Sequence, residues 1–188
     1  MSKKIFASND NNAFAIIDDD VFEPILEMGI KFCIDNKGYF YSTTKIQLQG
    51  MEKKKCLLLH RFVFTLKTGT EPSSEVDHAD IDKLNNQFSN LRLASRQQQQ
   101  QHRGKLRTNT SGYIGVCHYH KVNKHYKNGY RNYWRACIQR QDGKNETKFF
   151  PYTENGKQHA GKWYDDHARE YFGEFHGELN FPSSSDKQ

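Results

Sequence analysis

The sequence has no apolar run of the roughly 18 to 20 residues that a membrane-spanning helix needs. Its first residues, MSKKIFASNDNN, lack the apolar stretch of a signal peptide. Both absences predict an intracellular protein with no membrane partner. Only 35% of the 188 residues are hydrophobic, which is enough for a modest core and favours two small modules over one large domain.

The sequence also lacks a C-x-x-C pair. Its four cysteines, Cys33, Cys56, Cys117 and Cys137, are scattered along the chain. This spacing indicates neither a disulfide framework nor a zinc knuckle. We therefore expect four reduced and mostly buried thiols.

Acidic residues are scarce in the middle of the chain. Residues 92–148 carry 13 basic and only 2 acidic side chains, whereas residues 1–59 carry 8 of each. Tyr, Trp and His interleave with these cations. Because a polyanion releases condensed counterions when it binds such a stretch, this composition predicts a nucleic-acid surface.

The N-terminal half of the chain has weak but readable secondary-structure signals. Alternation around Asn36-Lys37-Gly38 predicts a tight hairpin within a β-rich segment. The run KCLLLHRFVFTLKTG predicts a strand leading into a helix that Gly69 and Pro72 end. We expect a loop at EVDHADIDKLNNQFSNLR, residues 75–92, and a polar helix at LRLASRQQQQQHRGKLR, residues 91–107.

From Asn109 the hydrophobic pattern changes to a period of two. The segments YIGVCHYH, YWRACIQR and ETKFFPYT predict three strands, and GKQHAGKWYDDHAREYFGEF predicts a helix behind them. We expect Trp134, Ala136 and Ile138 to face this helix. The opposite face is predicted to meet the major groove of DNA, with a solvated sheet face as the alternative; it comprises Tyr119, Lys121, Arg135, Cys137, Gln139, Thr147 and Phe149.

The adjacent Asp77 and His78 offer the two groups that phosphodiester hydrolysis needs, a metal ligand and a base. In an extended segment neighbouring side chains point to opposite sides. Asp77 is then free to hold a hard cation while His78 faces the attacking water. Asn90, twelve residues after His78, is expected to orient the imidazole or brace the loop. Taken alone, the Asp-His pair also fits a helix-capping aspartate beside a surface histidine.

Two sets of motifs resemble known families. The segments LHRFVF (59–64), EVDHADIDKLNNQFSNLRL (75–93) and RQQQQQHRG (96–104) resemble the HNH endonucleases of phages and mobile introns. The segments NTSGYIGV (109–116), YWRACI (133–138), and KWYDDHAREYFGEF with LNFP (162–182) resemble the plant Apetala-type, ethylene-response-factor-like DNA-binding domain.

The resemblance implies an α+β protein: a ββα-metal (His-Me finger) HNH nuclease module followed by a three-stranded antiparallel sheet packed on one helix. It implies a homing-type endonuclease that hydrolyses double-stranded DNA with Mg²⁺ or Mn²⁺, as a monomer or a dimer. The domains expected are a β-rich lid at 1–59, a nuclease core with a basic helix at 60–107, an Apetala-type domain at 108–182 and a disordered tail at 183–188.

By the same resemblance Asp77 is a metal ligand, His78 the general base and Asn90 the asparagine that positions the loop or the base. Gln99 stands where the family has Asn or His as a further metal ligand. Its extra methylene moves the amide oxygen outward by roughly 1.5 Å, a large shift for octahedral Mg²⁺. His102, one predicted helical turn further, is an alternative ligand. The alternative function is a catalytically degenerate DNA-binding protein or regulator.

Basic and polar side chains of the middle segment are expected to touch DNA. His60 and Arg61, within the LHR of the first motif, are expected to brace the fold or touch phosphate. The other predicted DNA-binding residues are Arg96, Arg103, Lys105, Arg107, Tyr119, Lys121, Arg135, Gln139 and Lys148.

Overall fold

The computed structural model describes residues 1–102, 104, 105, 108–183 and 186. The chain divides into a first unit, Met1–Gln99, and a second unit, Gln100–Gln188. Most of the predicted tail at 183–188 lies outside the described residues. Among the residues that are described, no helix is long and apolar enough to cross a membrane.

The first unit begins with a long β-hairpin. Strand β1 (Ser2–Ala7) pairs antiparallel with β2 (Asp10–Asp18), and helix α1 (Asp19–Glu27) follows directly. Ile5, Ala15 and Ile17 point into the core from this hairpin, because alternate residues of a strand share one face.

A second, shorter hairpin and a helix come next. Strands β3 (Phe32–Ile34) and β4 (Phe40–Ser42) enclose the Asn36-Lys37-Gly38 turn that the sequence predicts. Helix α2 (Leu59–Thr68) ends at Gly69, which adopts the left-handed conformation (φ 69°) at the C-cap. Leu59 is helical, so the strand predicted to lead into this helix is reduced to two isolated bridges, Ile46–Lys55 and Tyr41–Leu58.

One hydrophobic core serves the whole first unit. Phe32, Phe40 and Phe62 are fully buried in it, together with Ile17 and Val63. Phe32 meets Phe62 edge to face with ring centroids 5.9 Å apart. The core therefore joins the predicted lid at 1–59 to the predicted nuclease segment.

The region predicted as a loop contains two strands. Strand β5 (Glu75–His78) pairs antiparallel with β6 (Leu91–Ala94), and the loop prediction is wrong for these residues. The prediction of a helix from residue 91 is also wrong, because helix α3 covers only Arg96–Gln101. The helix starts there because Ser95 and Gln98 form a capping box: the Ser95 N–H donates to Gln98 Oε1 (2.8 Å) and the Gln98 N–H donates to Ser95 Oγ (3.2 Å).

The second unit has the strands and helix that its alternation predicts. Strands β7 (Val116–Val122), β8 (Tyr130–Gln139) and β9 (Asn145–Pro151) form one antiparallel sheet with β8 in the centre. Helix α4 (Glu154–Phe172) follows, and the Thr153 side chain caps it by accepting from the Gly156 N–H.

Helix α4 packs on the predicted face of the sheet. Ala136 contacts Ala160, and Ile138 lies with Ala168 and Phe172. Gly115 allows the approach: it has φ 70°, and a Cβ atom there would lie 2.0 Å from the Tyr164 ring. A side chain at this position is therefore excluded by both conformation and space.

The cysteine thiols are all free, but they are less buried than expected. Cys33, Cys117 and Cys137 are half-buried and Cys56 is exposed. The expectation of mostly buried thiols is therefore wrong, because Cys56 lies in the exposed segment before α2 and the other three occupy strand faces that the cores do not fully cover.

Candidate active site

Asp77 and His78 are neighbours on β5, and both are buried, at 8% and 5% exposure. The antiparallel register places Asp77 opposite Arg92 and His78 opposite Leu91. Arg92 reaches across to Asp77, with its Nε 3.4 Å from Oδ2. The carboxylate thus stands beside a fixed cation, which sequence reasoning did not anticipate.

The imidazole of His78 is held by Asn86. His78 Nε2 lies 3.2 Å from Asn86 Oδ1, and Asn86 Nδ2 donates to the backbone oxygen of Lys83 at 3.0 Å. A carbonyl oxygen only accepts, so the amide orientation follows from the hydrogen-bond network. Asn86 Oδ1 therefore accepts from an Nε2–H group, which leaves the lone pair of neutral His78 on Nδ1.

Strand β2 fixes the backbone that carries Asn86. The Ile16 N–H donates to Leu84 O and the Asn86 N–H donates to Ile16 O, both at 2.7 Å. Asp18 Oδ2 accepts from the Phe88 N–H at 2.7 Å. Asn86 is only 1% exposed. The hairpin at the N-terminus thereby determines where the partner of the imidazole stands.

Two further rings surround His78. His60 meets it edge to face with ring centroids 5.0 Å apart, and the Tyr39 ring centroid lies 6.4 Å from His78 and 5.7 Å from His60. Burial lowers the pKa of His60 to about 3, with the neighbouring His78 and Arg61 adding to the effect. Burial also lowers the pKa of His78, against the opposing influence of its Asn86 hydrogen bond and of Asp77. Both imidazoles are therefore neutral near pH 7, as a proton acceptor must be.

Asn90 braces the loop between β5 and β6. Its Nδ2 donates to Asp80 Oδ1 and to Asn85 O, both at 2.8 Å, and its Oδ1 accepts from the Asp80 N–H at 3.1 Å. Of the two roles expected for Asn90, these hydrogen bonds fit the support of the loop, whereas Asn86 holds the imidazole. Within the same loop, Ile81 adopts φ 68°, an unfavourable conformation for a β-branched residue.

Gln99 lies on α3, where its N–H donates to Ser95 O at 2.9 Å, and its side chain is half-buried. His102 follows the end of α3 and belongs to the second unit, so it does not continue the helix as predicted. Among the described residues, no group of three or more His, Cys, Asp or Glu side chains is placed to hold a metal ion. One carboxylate and one amide oxygen still fit Mg²⁺, which keeps several waters and binds through one or two carboxylates plus substrate phosphates.

The predicted DNA-binding residues near α3 are only partly described. Arg96 is exposed at the start of α3, and Lys105 is exposed with its N–H donating to Glu178 Oε2 at 3.0 Å. Arg103 and Arg107 lie outside the described residues. Arg61 braces the fold, because its guanidinium donates to the backbone oxygens of Pro72 and Ser74, each at 3.1 Å.

The sheet of the second unit places most of its predicted DNA-binding residues on one face. Arg135 lies opposite Cys117 on one neighbouring strand and Phe149 on the other, and its guanidinium stands 5.5 Å from the Tyr119 ring centroid. Arg135 Nε has no hydrogen-bond partner among the residues that the structure describes. Because alternate residues share a face, Lys121 and Gln139 belong to the same face.

Lys148 is the exception. It pairs with Ala136, so its side chain leaves β9 on the face that carries the helix, and its Nζ lies 5.6 Å from the Phe150 ring centroid. Lys148 therefore lies on the opposite face from Arg135, because strand side chains alternate. Its expected contact with DNA stays a prediction.

Comparison with known proteins agrees with the first unit's motifs. Residues 57–101 match the family model described as HNH endonuclease. The chain is 37% identical over 119 residues to an uncharacterised HNH endonuclease of Acanthamoeba polyphaga mimivirus. This match covers 62% of the chain and 54% of that relative, so the chain spans about half the relative's length. No solved structure matches the chain significantly.

The matched segment includes Asp77, His78, Asn90 and Gln99, so the likeness to HNH endonucleases covers the candidate site. The expected HNH resemblance is therefore confirmed. The expected Apetala-type identity of the second unit stays a prediction that rests on its motifs.

Proposed function

We propose that the protein is a metal-dependent DNA endonuclease of the homing type, in which the HNH domain cuts and the second unit holds the DNA. The observation that carries this proposal is the geometry of His78: a buried imidazole whose Nε2 is engaged by Asn86, next to the carboxylate of Asp77. Burial also lowers its pKa, which favours the neutral form. Such an imidazole has one free basic nitrogen, as a general base requires.

In the proposed reaction, His78 Nδ1 removes a proton from the water that attacks the phosphorus. Asn86 keeps the ring in one orientation and accepts from Nε2–H throughout, so the positive charge that develops on the ring has a hydrogen-bond acceptor beside it. Asp77 and Gln99 would hold the Mg²⁺ or Mn²⁺ ion. The bound cation supplies stabilisation of the negative charge on the phosphate and on the leaving oxygen.

DNA binding is assigned to the basic surfaces. We propose that Tyr119, Lys121, Arg135 and Gln139 meet double-stranded DNA through the exposed face of the sheet, as in an Apetala-type domain. The common face of these residues and the excess of cations in residues 92–148 support this assignment, because a cationic surface gains free energy from counterion release on DNA. Arg96 and Lys105 are proposed phosphate contacts.

The decisive experiment is a nicking assay on supercoiled plasmid with Mg²⁺ or Mn²⁺, against an EDTA control. His78→Ala is expected to reduce metal-dependent cleavage about 10²- to 10⁴-fold, because a general base acts in the transition state. DNA affinity should stay within about threefold of the parent's, since the base contributes little to ground-state binding. His159→Ala, at an exposed histidine of α4, is the matched control and should cut normally.

A second candidate function is a DNA-binding protein with a degenerate nuclease domain. The specific observation in its favour is the contact between Arg92 and Asp77, because a guanidinium beside the carboxylate opposes cation binding. Gln99 also favours this second candidate, because its amide stands on a longer side chain than the Asn of the family. Under this second candidate, the parent protein would bind duplex DNA and cut none with either metal. Undiminished cutting by His78→Ala would instead contradict the role of His78 in the first proposal.

A further inference from the structure

The β7–β8 hairpin extends beyond the third strand of its sheet. The pairing of β8 with β9 begins at Tyr133, opposite Pro151, whereas Tyr130–Asn132 pair with β7 alone. We call residues 120–132 the arm. Three residues of each strand extend past the C-terminal end of β9. At about 3.4 Å a residue they project roughly 10 Å, and the turn adds to this length.

The turn of the arm is held by its own hydrogen bonds. The Asn123 N–H donates to Gly129 O at 2.9 Å, and the Gly129 N–H donates to Tyr126 O at 2.8 Å. The Arg131 guanidinium lies over the Tyr126 ring, 4.6 Å from its centroid. These contacts give the arm a definite shape although no third strand supports it.

The arm is strongly basic. Lys121, Lys124, Lys127 and Arg131 are all exposed, and the sequence contains no Asp or Glu from Lys83 to Gln141. A solvated surface ordinarily mixes both signs of charge. Four cations on a thirteen-residue hairpin without a nearby carboxylate repel one another, and a bound polyanion removes that repulsion.

The arm also continues the proposed DNA-facing surface. Lys121 pairs with Arg131, and Tyr119 pairs with Tyr133. Since alternate strand residues share a face, Lys121 and Arg131 lie on the side of the sheet that carries Tyr119 and Arg135. The major groove is wide enough to admit a two-stranded β-ribbon of this kind.

We propose that the arm is a second DNA-contact surface, which binds backbone phosphates of the duplex next to the stretch covered by the three-stranded part of the sheet. The proposal rests on the proposed function in taking duplex DNA as the partner. It adds Lys124, Lys127 and Arg131 to the interface and predicts a longer contact on DNA than the sheet alone provides.

The test measures the affinity for a duplex several helical turns long at a series of salt concentrations. The triple variant Lys124→Gln/Lys127→Gln/Arg131→Gln should bind more weakly. The slope of log affinity against log salt, which is negative, should become smaller in magnitude by about two to three, since each neutralised phosphate contributes about 0.9. The matched control Lys3→Gln/Lys53→Gln/Lys54→Gln removes the same charge from exposed positions of the first unit and should leave the slope unchanged.

A second variant, which adds a charge to the arm, tests the proposal even if the triple variant folds poorly. Asn128 is exposed in the turn, and Asn128→Lys should raise the affinity and make the salt slope steeper. A slope equal to the parent's in both arm variants overturns the proposal, and so does an equal loss in the control. If the parent binds DNA but cuts none, the nuclease proposal fails while the arm is still judged by the slopes. A parent that binds no duplex overturns both.

Discussion

Asn86 decides which nitrogen of the candidate base is available. Its Nδ2 is committed to Lys83 O, so its Oδ1 faces His78 Nε2. The sequence offers Asn85, Asn86 and Asn90 within six residues, and nothing in their spacing shows which one meets the histidine. The choice depends on the backbone hydrogen bonds to Ile16 in β2, about 70 residues away along the chain, and such a contact has no local signal.

We expect Asn86→Ala to lower cleavage about 10- to 100-fold, the usual cost of losing the partner that orients a functional histidine. DNA affinity should not change, because Asn86 is buried. The measurement is initial nicking rate with duplex binding in parallel, and its pH profile should shift as well. Asn85→Ala, which removes a neighbouring loop amide that donates to Asp80 instead, is the control. Equal losses in both variants would assign the effect to the loop and not to the imidazole.

Gln99 is the residue at which this chain departs from the expected ligand. Gln99→Asn should raise the cleavage rate at limiting Mg²⁺ and leave DNA affinity unchanged, because it shortens the amide arm toward the length that a tight octahedral site favours. A Mg²⁺ titration of the nicking rate measures this. Gln100→Asn changes the adjacent, exposed residue of the same helix and should have no effect. If Gln99→Asn and Gln99→Ala both match the parent, Gln99 is not a ligand.

At the scale of single elements, the short strands β5 and β6 were hidden from sequence reasoning. Each has four residues, too few for a clear alternation, and the segment between them is rich in asparagine. The start of α3 was readable, because Ser95-Arg-Gln-Gln98 has the form of a capping box. The strands of the second unit were predicted correctly because each is seven residues or longer and alternates cleanly.

The approach of α4 to its sheet gives a prediction about stability. Gly115→Ala should destabilise the second unit by about 2–5 kcal/mol, since a left-handed conformation costs a non-glycine residue about 1–2 kcal/mol and overpacking against the Tyr164 ring adds about 1–3 kcal/mol. Chemical denaturation followed by tryptophan fluorescence reports it, because Trp134 and Trp163, the two tryptophans of the chain, lie in this unit. Gly143→Ala shares the positive φ but meets no atom within 4 Å, so it should show the conformational cost alone.

At the scale of the whole molecule, the division into two modules followed from length and composition, but the extent of the first module did not. A lid at 1–59 was expected to be separate from the nuclease core, and the structure places both in one unit with one hydrophobic core. The boundary near Gln99 has no Pro- or Gly-rich linker, so composition gives no break there. Burial of Phe32 against Phe62 is a contact between the two segments that periodicity does not reveal.

Burial of His60 makes the stability of the first unit depend on pH. Its pKa is about 3 in the folded protein against an ordinary value of 6.5, so the unfolded chain binds more protons between these values. The stabilisation is fully present above about pH 6.5 and is lost as pH falls toward 3, at about 1.4 kcal/mol for a one-unit difference in pKa. Melting temperatures at several pH values in this window measure it.

The variant His60→Gln cannot titrate at that position and should show a shallower decline of melting temperature with falling pH. His78, whose pKa burial also lowers, contributes to the decline that remains. A parent protein whose melting temperature is flat from pH 7 down to pH 5 would contradict the assignment, since protonation of a histidine buried in neutral form destabilises the folded state in that window.

The hydrogen bonds from Ile16 and Asp18 to the segment that carries Asn86 also have an evolutionary consequence. A recombination event between β2 and β5 would combine the loop between β5 and β6, here called the histidine loop, with an unrelated N-terminal hairpin. Asn86 would then lose the hydrogen bonds that position it beside His78. The N-terminal hairpin and the histidine loop are therefore expected to be inherited together. Shuffling of modules should instead occur after α3. Under the proposed function, such an exchange would replace the unit that holds the DNA, and hence the target.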